Sequence, residues 1–317
     1  MRRLFFLSTG LLAAAAALAV LALHLLPPVI TADAATRLTV LDHGTLRQTT
    51  MADWLPGVVA AEMPASFESE ALKAQAVAAR TFLLEHKNRR PTAHPEADVC
   101  DDPACCCAHS DETTLRENWG GDAGQNLRRV RTAVAETDGT VLTYQGEPIL
   151  AAFHSSSAGQ TEDSAALWGA TPYLVSVSSP ETAADVPNYV SEVKLTPEAL
   201  RDAIQKERPE VAFPDAPEQW IGAVTPDESG RVGEIAIGSE TFTGAELRSI
   251  LQLRSAAFTA KYTDGKFTFT VTGYGHGVGM SQYGANVMAK QGSGCTEILA
   301  HYYPGTELVT PETEKHP

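Results

Sequence analysis

Gly57-Val58-Val59-Ala60-Ala61-Glu62-Met63-Pro64, followed by Ala71-Leu72-Lys73-Ala74-Gln75-Ala76-Val77-Ala78-Ala79-Arg80-Thr81, is the stretch on which the fold turns. From Met51 to Ala61 the residues Trp54, Leu55, Val58 and Val59 give one apolar face, which predicts a short helix. Met63-Pro64-Ala65-Ser66 then reads as a turn, with Ser66 as the expected N-cap and Glu68 and Glu70 as negative charge in the first turn of a second helix. That helix should run to about Lys87. Leu72, Ala76, Ala79 and Leu83 repeat at helical spacing, and its many alanines predict close packing at the centre of the fold. Glu62 ends the first helix before a proline turn. A carboxyl against an apolar wall loses solvation, which raises its pKa and keeps it protonated, as a general acid must be. The alternative is an exposed helix-end glutamate.

Upstream, Arg37 to Thr50 reads as a strand and a turn at His43-Gly44. At the start of the chain, Arg2 and Arg3 precede an apolar run from Leu4 to Leu26 that Pro27 and Pro28 end. A helix needs roughly 20 apolar residues to cross a bilayer, so this run is expected to be one transmembrane helix. The arginines put its N-terminus in the cytoplasm and the rest of the chain outside, a single-pass cell-membrane protein. The competing expectation is a signal peptide cleaved at Ala32-Asp33-Ala34.

Downstream, a helix is expected from about Gly124 to Thr137, with strands at Val141 to Tyr144 and Ile149 to Phe153. A semi-independent stretch from Val190 to Tyr262 should hold a helix near Thr196 to Gln205, a strand from Val232 to Ile237 and a helix near Gly244 to Leu253. Phe258 to Val271 reads as a hairpin turning at Asp264-Gly265. Segregated helices and strands predict an α+β fold, a helical core with antiparallel strands and a smaller inserted or second module. The expected division is 1–28 for the anchor, 37–189 with 263–310 for the core, and 190–262 for the module.

The whole chain has 317 residues, enough for one large or two modest domains, and 44% of them are hydrophobic, so a packed core is expected. Its formal net charge of −15 argues against a nucleic-acid partner, since phosphates would be repelled.

Two further stretches carry chemistry. His94, Cys100, Cys105, Cys106, Cys107 and His109 crowd one polar loop, and thiolate with imidazole is the donor set zinc prefers. Adjacent cysteines make a disulfide framework a poorer expectation. Four ligands would close a structural site and leave no position for a catalytic water. The second is Gly273-Tyr274-Gly275-His276-Gly277-Val278-Gly279-Met280-Ser281-Gln282-Tyr283-Gly284-Ala285. It lacks dinucleotide spacing, and Tyr274, His276, Gln282 and Tyr283 are placed to line a sugar groove. His154-Ser155-Ser156-Ser157 invites a serine-hydrolase reading, which the absence of a G-x-S-x-G elbow disfavours.

At these residues the chain resembles the stage II sporulation protein D family of lytic transglycosylases. The likeness runs through Gly57 to Thr81, the Cys/His loop, Phe153-His154-Ser155-Ser156-Ser157 with Gly159 to Glu162, Trp168-Gly169, Pro172-Tyr173-Leu174 and the glycine-rich stretch. It implies that Glu62, in the Glu62-Met63-Pro64 motif, is the catalytic residue. It implies a structural zinc ion on His94, Cys100, Cys105 and Cys106. Polar residues of the matching motifs are the expected substrate contacts: Lys73, Gln75, Arg80, Ser155, Ser156, Ser157, Tyr274, His276, Ser281, Gln282 and Tyr283. The implied activity cleaves the bond between N-acetylmuramic acid and N-acetylglucosamine in denuded peptidoglycan strands, leaving 1,6-anhydro ends. The implied setting is engulfment during sporulation, in the space between mother cell and forespore, with stage II sporulation proteins P and M as partners. A zinc-dependent wall peptide hydrolase and a non-catalytic wall-binding scaffold are the rival classes.

Overall fold

The computed structural model of the chain describes residues 31–90 and 92–310. It opens with one helical turn, α1 (Ala32–Ala35), and an antiparallel hairpin of β1 (Arg37–Asp42) and β2 (Thr45–Thr50). His43 and Gly44 take positive φ at its turn, as the sequence predicts.

Helix α2 (Met51–Glu62) starts where the Thr50 hydroxyl accepts the Asp53 N–H, which satisfies one of the free donors of a helix start. It buries Trp54, Leu55, Val58 and Val59. Pro64 forces Met63 into an extended conformation, so the helix stops at Glu62 and leaves that carboxylate at a helix end. Helix α3 (Ser69–Arg89) follows. Its N-cap is Glu68 and not the expected Ser66, because the Phe67 N–H closes a turn onto the Pro64 carbonyl and delays the helix. Alanine leaves room for neighbours on every side. Ala71, Ala74, Ala76, Ala78 and Ala79 are all fully buried, and α3 is the central helix.

The two-residue strand β3 (Val99–Cys100) lies parallel to β1. Helices α4 (Glu112–Trp119) and α5 (Ala123–Glu136) pack on each other, and α5 also packs on α2 and α3. Strands β4 (Val141–Tyr144) and β5 (Glu147–Pro148) form a hairpin. The strand expected from Ile149 to Phe153 is reduced to β6 (Phe153–His154), since Leu150 to Ala152 find no ladder partner.

Strand β7 (Val190–Leu195) and α6 (Pro197–Glu207) open the second part of the molecule, with Thr196 capping the helix. A three-stranded antiparallel sheet follows, of β8 (Ile221–Pro226), β9 (Val232–Ile237) and β10 (Glu240–Thr243). Helix α7 (Gly244–Ile250) begins in a capping box between Thr243 and Glu246. The hairpin of β11 (Phe258–Thr263) and β12 (Lys266–Thr272) turns at Asp264-Gly265, and β12 also pairs with β7. The chain ends its described part with β13 (Met280–Ser281), parallel to β6, then α8 (Gln282–Lys290), α9 (Cys295–Tyr302) and β14 (Glu307–Val309), which pairs with β4.

The architecture is α+β with mainly antiparallel sheets, as expected, and two apolar cores lie within it. One surrounds α3 and takes in Leu55, Val58, Leu72, Val278, Met280 and Tyr302. The other takes in Leu200, Trp220, Ile235, Phe242, Phe267, Phe269 and Val271. The second core therefore includes β12, which lies past the 262 boundary. Among the described residues no helix is long and apolar enough to cross a membrane. The expected span, Leu4 to Leu26, falls outside the described residues. The alternative cleavage site at Ala32-Asp33-Ala34 falls on α1, whose Asp33 carboxylate is buried against Arg80.

Candidate active site

A groove of about 660 Å³ runs across the first core. The end of α2, the Cys/His loop, α3, β6 and the glycine-rich loop all reach it. Among the described residues Glu62 is the sole carboxylate lining it, and Arg89 is the sole permanent cation. Glu62 is half-buried. Its Oε1 accepts the Ala108 N–H at 2.9 Å and its Oε2 accepts Gln282 Nε2 at 3.5 Å. Desolvation raises the Glu62 pKa above the usual carboxylate range, and these two donors hold the rise in check.

Both donors are delivered by deliberate local structure. Ala108 closes the Cys/His loop. In that loop the Cys105 and Cys106 N–H groups both donate to the Asp102 carbonyl, and Cys100 is fixed on β3. One ligand atom from each of His94, Cys100, Cys105 and Cys106 lies within 4.8 Å of the others. The His94 Nδ1 faces the Ala97 carbonyl at 3.2 Å and its Nε2 faces Cys106 Sγ at 3.3 Å. A proton on Nδ1 is thereby held by the backbone, and the Nε2 lone pair points to the thiols. That is the tautomer and the backing a metal-bound histidine uses. The four donors fit one tetrahedral ion of the zinc class. His109 is not part of this group. It stacks on Trp54, with centroids 3.5 Å apart, and Gly57 supplies the room, since a Cβ there would lie 2.3 Å from the imidazole.

Gln282 is held from the opposite side. Ser281 caps α8 and donates to Glu181 Oε1 at 2.5 Å. The buried Glu181 also accepts the Ser157 N–H and the Ser179 hydroxyl, both at 2.6 Å. Gly279 has φ +73° and sits where a Cβ would be 2.0 Å from the Ala152 carbonyl, so only glycine brings this loop onto β6. His154 is buried, with Nδ1 facing the Val278 carbonyl at 3.2 Å and Nε2 facing the Ser157 hydroxyl at 2.6 Å. Burial drives its pKa well down, so it stays neutral. Ser157 is fully buried, which removes it as a nucleophile for substrate.

The family model described as Stage II sporulation protein matches residues 42–144. Stage II sporulation protein D of Bacillus amyloliquefaciens is 40% identical across 81% of this chain and 73% of its own length. The protein of the same name from Bacillus subtilis strain 168 is 38% identical over the same shares. This chain belongs to the stage II sporulation protein D family. A protein called Amidase enhancer, also from Bacillus subtilis strain 168, is 29% identical across 81% of this chain and 40% of its own length.

Of the substrate contacts expected for this stage II sporulation protein D relative, Ser155, Tyr274, His276 and Gln282 line the groove with Glu62. The others do not. Lys73 pairs with Glu70 and Glu136, at 2.8 and 2.7 Å. Gln75 is fully buried in α3. Arg80 is 1% exposed and makes a two-pronged pair with Asp33, each contact 2.7 Å, plus bonds to the Thr140 and Val134 carbonyls. Ser156, Ser157 and Ser281 are buried in the support beneath the loop, and Tyr283 packs edge-on against Phe67.

Phe82 and His86, also in the groove, were not singled out from the sequence. Phe82 stacks on His86 at 3.9 Å and approaches Phe153 at 6.3 Å, while His276 lies 5.7 Å from His154 and 5.0 Å from Trp168. These rings form an aromatic wall. Trp168 stood in a matching motif, and an aromatic side chain in a turn beside glycine was the available signal.

Proposed function

We propose that this chain is a lytic transglycosylase acting on denuded peptidoglycan strands, with Glu62 as both acid and base. The observation that carries it is Glu62, half-buried and the one carboxylate lining the aromatic groove among the described residues, its pKa raised by burial. Hydrolytic glycosidases generally use two carboxylates, one of them for water or a covalent intermediate. One carboxylate suits a reaction in which the nucleophile belongs to the substrate.

In this mechanism protonated Glu62 gives its proton to the glycosidic oxygen. The bond from that oxygen to C1 of the muramoyl residue breaks, and positive charge develops at C1. The Glu62 carboxylate then takes the proton of the C6 hydroxyl as its oxygen bonds to C1, giving the 1,6-anhydro ring and restoring the acid. Gln282 and the Ala108 N–H orient the carboxylate and stabilise it in its charged phase.

The Cys/His donor set fits a structural zinc ion, which when bound would tie the loop together. Its four protein donors leave no position for a metal-bound water, so a zinc hydrolase is the weaker reading. Leu4 to Leu26 would anchor the body to the outer face of the cell membrane. The family's name supports a role in sporulation, and the amidase enhancer's name supports cell-wall work. Incubation of denuded strands with the protein tests the activity. Shortening of strands by the parent and not by Glu62→Gln is expected. Equal shortening by both removes Glu62 from the role, and shortening by neither overturns the glycan-cleaving reading.

A further inference from the structure

We propose that Trp168 is a stacking platform for a pyranose ring of the bound glycan, on the wall of the groove carried by the glycine-rich loop. The inference rests on the glycan-cleaving function proposed above and names a residue that grips the substrate there.

The molecule treats its tryptophans differently. Trp54 and Trp220 are 2% and 1% exposed and fill the two cores, whereas Trp168 is 53% exposed and lines the groove. An exposed apolar side chain is unremarkable by itself. This one is held in place. The N–H groups of Leu167, Trp168 and Gly169 all converge on the Ser164 carbonyl, at 3.1, 2.8 and 3.1 Å. Ser164 is fully buried, and its hydroxyl accepts the Thr171 N–H at 3.0 Å. The indole leans on His276 with centroids 5.0 Å apart, and His276 is fixed in turn by the Val278 N–H donating to its Nδ1 at 3.1 Å. The backbone beneath the ring is fixed and the ring rests on a neighbour, which lowers the ordering cost of binding.

The surroundings select the ligand class. Tyr274, 46% exposed and also in the groove, is backed by the Arg254 guanidinium 4.2 Å from its ring centroid. Two braced aromatic faces beside one carboxylate suit a ligand with apolar C–H faces and hydroxyl edges, which describes a pyranose. A peptide backbone would ask for a row of donors and acceptors, and the lining is dominated by rings and small side chains.

The test uses the full chain carrying Glu62→Gln, so that binding is read without turnover. Purified denuded strands are added and binding is followed by co-sedimentation and by tryptophan emission. With Trp168 present, binding should change the emission. Trp168→Phe should bind within about threefold and lose the emission change, since the reporter is gone while a stacking face remains. Trp168→Ala should bind at least about tenfold more weakly, a difference of roughly 1.4 kcal/mol, with an unchanged thermal melt because the removed ring is exposed. Equal binding by the Ala variant overturns the platform and leaves the catalytic proposal standing. No binding at all with Trp168 present sinks both.

Discussion

The two ends of one motif handle a charge in opposite ways. Arg80, in the middle of α3, is buried and fully matched by Asp33 and by backbone carbonyls. Glu62, at the end of α2, is half-buried, and among the described residues it accepts two hydrogen bonds, at 2.9 and 3.5 Å, and makes no ion pair. A matched charge holds a fold together. An under-matched one at the wall of an open groove costs stability and is free to exchange a proton. Both residues are polar members of a helical motif, and only their partners separate the structural role of Arg80 from the chemical role proposed for Glu62.

The largest expected effect is at Glu62. Glu62→Gln should lower the rate of strand cleavage by about three orders of magnitude, the contribution of a positioned acid and base. Its thermal melt should not fall. The folded pKa of Glu62 is raised, so the stability tied to this group is complete at pH below its unfolded value and is lost as pH rises through the folded one. A neutral amide escapes that loss. A cooler melt at neutral pH for the variant would contradict the contrast.

Arg80→Met should do the reverse. It leaves Asp33 buried without its partner and should cost about 3–5 kcal/mol of stability, read from denaturant unfolding. If the variant folds as well as the parent but binds glycan more weakly, Arg80 belongs with the groove after all.

Much of the fold could be read from the sequence, because α2, α3, β9 and the β11–β12 hairpin are set by local periodicity and by turn residues such as Asp264-Gly265. Periodicity put Glu62 at a helix end, but it was the resemblance to a known family that singled out Glu62 and the glycine-rich loop. The fate of Arg80 could not be read, since its partner lies 47 residues away on a helical turn with no periodic signal. The Ser66 cap failed because Pro64 opened a turn that used the next residues first. Phe82 and His86 were missed because only tertiary packing brings that face of α3 beside β6 and the loops that carry Trp168 and His276.

Removing metal should give an intermediate effect. A chelator should take one zinc per chain from His94, Cys100, Cys105 and Cys106, lower the melt and lower strand cleavage with it. Both follow from a loop whose Ala108 N–H holds Glu62. Lost activity with an unchanged melt and intact loop would instead assign the ion to the chemistry.

The smallest expected effect is in the pH profile. The Gln282 amide favours the charged form of Glu62, so Gln282→Leu should raise the Glu62 pKa further. The alkaline limb of kcat/KM, where the acid is lost, should move to higher pH. A shift to lower pH would mean that Gln282 does not touch the working carboxylate.

The central proposal is that one carboxylate suffices because the substrate attacks itself. Mass spectrometry of the ends released from denuded strands measures this directly. The expected result is 1,6-anhydro-muramoyl ends that vanish with Glu62→Gln. Free reducing ends carrying an added water would contradict it.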